Sequence, residues 1–223
     1  AGTQIIASLK NSGLVPQNAL LEDGDVMSIA QHYSNNGADE LLIFDLSDDD
    51  ADHEQSLNLI RQISRVIDIP MSGGGHIKNL EDVKKLLYAG CQQVFLNYAK
   101  AANIELTEEV SKRFGKEKIA ICTDSFAQLQ ANKARVNEYT SRVILLCDEV
   151  DVRTTARLVE VPVLPVSTRA DRHGLLKLLM LDNICGVCGD TFSDLNEDLM
   201  AAKLEAKKHG VEINTFESNM SWN

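Results

Sequence analysis

Short apolar runs of strand length recur eight times along the chain with helical patterning between them, and this alternation most restricts its architecture. The runs lie near Thr3 to Leu9, Glu40 to Asp45, Ile69 to Ser72, Gln93 to Asn97, Lys118 to Thr123, Arg142 to Cys147, Val161 to Val166 and Ile184 to Val187. They are nearly continuous rather than alternating, as expected where helices cover both faces of a parallel sheet. Between them Val26, Ile29, Ala30 and Tyr33, then Leu57, Ile60, Ile63 and Ser64, then Val83, Leu86 and Leu87 keep helical spacing. Gly37, Gly90 and Gly115 follow where helices should end. Eight such units predict an α/β fold, a closed parallel (β/α)8 TIM barrel. An open doubly wound sheet stays as the alternative, because periodicity does not report closure. The 223 residues suit one barrel over 1–213, with 214–223 as a tail or linker toward a possible following domain.

The stretch Ile69-Pro70-Met71-Ser72-Gly73-Gly74-Gly75-His76-Ile77-Lys78-Asn79 reads as strand, tight turn and helix start. Glycines let backbone N–H groups approach an anion and a helix start carries partial positive charge, so the stretch is a phosphate cradle in principle. Turning a strand into a helix would use the same residues.

In a barrel, polar residues at strand ends share one mouth. Here they are Lys10, Asp45, Ser72 with the glycines, Asn97, Asp124, Asp148, Ser167 with Thr168, and Asp190. Two carboxylates facing across the mouth can serve as general acid and base. Strand-end aspartates also cap the next helix; we expect capping for Asp148 and Asp190 and leave both roles open for Asp45 and Asp124. Arg169 and Arg172 follow strand seven beside His173, either to grip a phosphate bidentately or as a solvated helix start. His32, His53 and His209 lie among polar neighbours and read as solvated. Cys185 and Cys188 are three apart on a strand and point to opposite faces, so no zinc site is expected.

The net charge of −11 disfavours nucleic acid and anionic membranes as partners, so a phosphorylated ligand needs a local site. Five scattered cysteines fit a reducing compartment, and no signal segment or apolar run of membrane-spanning length is recognised, so a cytoplasmic setting is expected.

Several stretches resemble the HisA/HisF barrels of histidine biosynthesis, and more closely the cyclase subunit of imidazole glycerol phosphate synthase. They are Gly24-Asp25, Asn36 to Leu41, Phe44-Asp45, Ile69-Pro70 with Gly73 to Ile77, Leu80-Glu81-Asp82, Ala89-Gly90, Leu96-Asn97, Arg113-Phe114-Gly115 and, after a thinner second half, Lys207 to Val211. The resemblance implies a phosphate-binding barrel of the ribulose-phosphate type, with no cofactor. It implies an acid/base pair of aspartates ending strands one and five, and phosphate half-sites after strands three and four and after seven and eight. Asp124 stands at the strand-five position, but Lys10 replaces the strand-one aspartate. In the glycine motif His76 replaces the third glycine, and Tyr98 replaces a small hydroxyl residue after Asn97. Ser167-Thr168-Arg169 replaces a glycine-rich turn.

The expectation is a catalytically degenerate barrel that binds a phosphate or phosphoribosyl ligand at Ser72, Gly74, Gly75, His76 and Asn97, with Ser167, Thr168 and Arg169 as the candidate second site. The alternative is a working cyclase or isomerase using Asp124 with Asp45 or Lys10. The tail, Asn214 to Ser218 with Ser221-Trp222, looks like the junction to a phosphoribosyl-AMP cyclohydrolase and implies a fused or associated histidine-pathway domain.

Overall fold

A computed structural model describes residues 2–6, 23–148, 150–167, 169–189 and 199–213. Lys10, Thr168, Asp190 and the tail 214–223 lie outside them. The elements alternate: β1 (Gly2–Ile6), α1 (Asp23–Asn35), β2 (Glu40–Phe44), α2 (Asp50–Ile63), β3 (Met71–Gly74), α3 (Leu80–Ala89), β4 (Gln93–Asn97) and α4 (Ala101–Phe114). A 3-10 turn (Lys116–Lys118) leads into β5 (Ile119–Thr123), α5 (Phe126–Ala131), α6 (Lys133–Tyr139), β6 (Arg142–Leu146), α7 (Val152–Ala156), β7 (Val163–Ser167), α8 (Arg172–Leu179), β8 (Val187–Gly189) and α9 (Leu199–Lys208). Every strand pairs in parallel with its sequence neighbours, giving a curled sheet, and the three-residue β8 meets β1 through Gly2↔Val187 and Thr3↔Cys188. Those two short ladders close the ring.

The period-two alternation hidden in the apolar runs sorts β2 and β4 to β8 into two cores. Leu41, Ile43, Val94, Leu96, Ile119, Ile121, Val143 and Leu145 pack outward under Val26, Ala30, Leu57, Ile60, Val83, Leu86 and Val110 of the helices. Leu42, Phe44, Phe95, Ala120, Cys122, Ile144, Leu164, Val166 and Cys188 form the second, interior cluster. Phe44 and Phe95 meet there with ring centroids 4.9 Å apart. Below them the first residues of β2, β4 and β6 build a polar layer, as alternate barrel strands do. The Arg142 guanidinium pairs with Glu40 (2.8 Å from Nη1), donates from Nε to Gln93 (2.6 Å), and reaches Ser72 Oγ at 2.9 Å. At the outside, Lys203 of α9, only 4% exposed, pairs with Asp39 ahead of β2 at 2.7 Å.

Two strands differ from expectation. β3 covers residues 71–74 rather than 69–72, with Ser72, Gly73 and Gly74 opposite Leu42, Ile43 and Phe44. Two of the three glycines are therefore strand residues. β8 begins at Val187; Ile184 makes only an isolated bridge to Val163, because Asn183 (φ 61°) donates its side-chain amide to the carbonyls of Ala156, Val159 and Val161 and turns the chain. Ser64 forms the C-cap of α2 rather than part of its buried face.

Candidate anion site at the barrel mouth

A cavity of about 430 Å³ opens where β2, β3 and β4 end. Gly74, Gly75, His76, Lys78, Asn97 and Lys100 line it, together with Asp45 and Asp48. The glycines serve close approach as much as turning. A Cβ on Gly74 would fall 2.3 Å from the Phe95 ring, and one on Gly73 2.7 Å from Cys91 Sγ. Gly75 (φ +108°) begins the turn, and the next residue, His76, also has positive φ (53°).

The start of α3 is already occupied. Asn79 Oδ1 accepts from the N–H groups of Glu81 (2.8 Å) and Asp82 (3.3 Å), and the Asp82 carboxylate accepts from Lys78 and Asn79. That closed capping box occupies the helix start, so an anion could be met only by the turn before it. There the N–H groups of Gly75, His76 and Ile77 donate to no other described residue. On the other side Lys100 is the N-cap residue of α4 and makes no side-chain cap. Asn97 Oδ1 accepts from Ala99 N–H at 2.9 Å and shapes that loop. Tyr98 does not obstruct the cavity: its side chain is fully buried and meets Thr107 at 2.9 Å.

Ser72 is not at the mouth. It is 2% exposed and belongs to the polar layer at the opposite end, where its hydroxyl donates to Glu40 at 2.5 Å and accepts from Arg142. The two-residue shift of β3 put it there.

Asp45 stays on the cavity wall, but its carboxylate is engaged elsewhere. Its Oδ2 meets His53 Nδ1 at 2.5 Å, and Oδ1 accepts from Ser47 N–H (3.0 Å) and Ser47 Oγ (2.5 Å). Both lone-pair faces are engaged and the residue is 4% exposed. Burial pushes the carboxyl up, and the bonds from His53 and Ser47 outweigh it, holding the group below its ordinary value. His53, expected to be solvated, is 2% exposed, because the second turn of α2 faces this loop; its Nε2 has no partner. A carboxyl depressed in the folded state contributes stability above its unfolded value, and the contribution is lost as pH falls through the folded value. Asp45→Asn is therefore expected to lower the unfolding free energy by about 2 kcal/mol at neutral pH. The gap to the parent should close in acid, as denaturant titrations at several pH values will read.

None of the strand-end aspartates among the described residues caps a helix. Asp49, Ser125 and Asp151 cap α2, α5 and α7 instead. Asp124 is exposed after β5 and does not line the cavity. Asp148 accepts from Ser167 Oγ at 2.6 Å. Ser167 in turn accepts from Arg169 and Ala170 N–H, so its hydroxyl is committed to its own turn. Arg169 lines a second, wider hollow with Asp148, Asp151 and Lys177, while Arg172 turns to Glu205 of α9 at 2.9 Å. The arginine pair is split. His173 and His209 are exposed and His32 is half-buried. All five cysteines are free thiols, and among the described residues no group of three or more His, Cys, Asp or Glu is placed to hold a metal. Nor is any described helix long and apolar enough to cross a membrane.

Sequence reasoning brought Gly74, Gly75, His76 and Asn97 to one cavity and missed Lys78, Lys100 and the buried His53. A lysine three residues past the first conformationally free glycine was the available signal for Lys78; none marked His53.

Comparison with known proteins identifies relatives of the chain. The subunit HisF of imidazole glycerol phosphate synthase from Haemophilus influenzae (strain PittEE) is 33% identical over 132 residues, 59% of this chain and 49% of that protein. The Helicobacter hepaticus subunit HisF is 37% identical over 108 residues, 47% and 42% of the two chains. The Wolinella succinogenes subunit HisF is 33% identical over 120 residues, 54% and 46%. The matches thus span about half the length of these curated relatives. The family described as histidine biosynthesis protein matches residues 11–182, well over half of the chain, and the chain belongs to that family.

Proposed function

We propose that this chain is a HisF/HisA-type phosphate-binding barrel domain that holds one phosphate group of a phosphoribosyl ligand and lacks the two-carboxylate chemistry implied by its resemblance. The supporting observation is the cavity at the ends of β2 to β4. It combines Lys100 and a glycine turn with unused N–H groups beside Lys78 and His76, both of which also bond Asp50, while Asp45 is locked to His53 and Asp124 stands exposed outside it. Asp48 is the other carboxylate on the wall, and a single such group among lysines and N–H donors suits holding an anion rather than two-carboxylate proton transfer. The hydroxyl committed at Ser167 and the split arginines argue against an equivalent second site. Under this reading the domain acts as a binding or scaffold unit for a fused or associated histidine-pathway domain, a cyclohydrolase being the candidate.

Calorimetric titration with inorganic phosphate should show one site, weakened about tenfold in Lys100→Ala, equivalent to about 1.4 kcal/mol. Two equivalent sites would contradict the account of strand seven. Turnover of a bis-phosphorylated ribotide, with or without ammonia, that disappears in Asp124→Asn would establish the enzymatic alternative instead.

A further inference from the structure

The ring of His76 is placed so that both nitrogens face atoms that only accept hydrogen bonds. Nδ1 lies 3.1 Å from the Ser47 carbonyl oxygen and Nε2 2.8 Å from Asp50 Oδ1. A neutral imidazole has one N–H and would turn a lone pair on one of them, so only the imidazolium satisfies both. Its ring stacks on His53, with centroids 4.7 Å apart and planes 24° from parallel. His53 directs Nδ1 at Asp45 Oδ2 and leaves Nε2 without a partner.

These bonds tie two loops together. His76 belongs to the turn between β3 and α3; Ser47 and Asp50 belong to the loop between β2 and α2 and to the first turn of α2. Positive φ costs a residue with a Cβ free energy, and the two ring bonds of His76 offset that cost. The same turn carries the unused N–H groups of the anion cradle.

We propose that His76 is a proton-operated clip for that cradle: as imidazolium it pins the β3–α3 turn to Ser47 and Asp50 and holds a dianion, and loss of one ring proton frees the turn and weakens the ligand. His76 is a positioning residue in this scheme, acting through the backbone of its turn. The charged or titratable groups around it are Asp45, Asp48, Asp50 and His53 from the α2 side, Lys78 from its own loop and Lys100 at the start of α4. Lys78 shares Asp50 Oδ1 at 2.6 Å, so Asp50 stays ionised and keeps demanding a donor from His76. Consistently, the Asp50 carboxyl is lowered to about 2, first by the bond from His76 and then by Lys78.

The inference rests on the anion reading above, and sulfate titration separates the two, because sulfate remains a dianion while histidine changes charge. From about pH 5 to about pH 8 the affinity of the parent protein for sulfate should fall at least about tenfold. His76→Asn and His76→Gly, both compatible with the backbone of this turn, should bind weakly with no such slope. Asp50→Asn, at an 82% exposed side chain, should move the loss of affinity to lower pH. A flat profile in the parent, or a slope surviving in His76→Asn, overturns the clip and leaves the anion site standing. No binding of sulfate or phosphate at any pH overturns both. Nitrogen-15 spectra of the His76 ring supply an independent reading: both nitrogens protonated at acid pH support the clip, and a single tautomer there refutes it.

Discussion

Gly75→Ala is expected to destabilise the protein by about 3 kcal/mol and to abolish phosphate binding. A Cβ at this position would stand 1.9 Å from the backbone oxygen of Asp45 and 2.8 Å from its carbonyl carbon. Neither atom ends a flexible side chain, so the clash can be relieved only by separating β2 from β3. The φ of +108° adds strain for any residue with a Cβ. Asp45 N–H also donates to Gly74 O at 2.7 Å across this contact, so the displacement would open the His53 and Ser47 bonds as well. Chemical denaturation should show a lower midpoint at an unchanged slope, with a fall in melting temperature of roughly 10 °C. A tolerated alanine would mean that the turn is not built on the observed approach of the two backbones.

The second large effect lies at the opposite end of the barrel. Arg142→Met should lower stability by about 3 kcal/mol, because it leaves Glu40 with only Ser72 to answer it inside the ring. Adding Glu40→Met to Arg142→Met should recover most of the loss, since removing both charges takes away the desolvation penalty with the attraction. Side-chain exposures of 14% for Arg142 and 16% for Glu40 place the pair near the lower end of the range for buried ion pairs. Strict additivity of the two losses would contradict a coupled layer. Neither change touches the mouth, so phosphate affinity of the folded fraction should be retained.

The fold was legible because every βα unit repeats the same physical demand. Leu41 and Ile43 must be covered by helices while Leu42 and Phe44 fill a ring, and eight such runs leave few arrangements. The site was partly legible. Glycines and a strand-end amide mark Gly74, Gly75 and Asn97 without reference to any partner. Ser72 was misplaced because a shift of β3 by two residues, set by the ladder to Leu42, Ile43 and Phe44, moved its boundary beyond two glycines. His53 was misread because polar neighbours along α2 do not reveal that one side chain of the second turn meets Asp45 eight positions earlier.

What the sequence determined alone is thus the periodic part: strand and helix order, the two-sided burial of the strands, the glycine turn after β3 and membership in a family built on these units. Periodicity is a local property and survives without coordinates. The tertiary structure decided which polar groups satisfy one another. Asp45 was claimed by His53, Ser72 by Arg142, Arg172 by Glu205 and His76 by two acceptors on the neighbouring loop. A buried polar group must find its partner wherever the fold delivers one, and those partners lie from eight to seventy residues away along the chain.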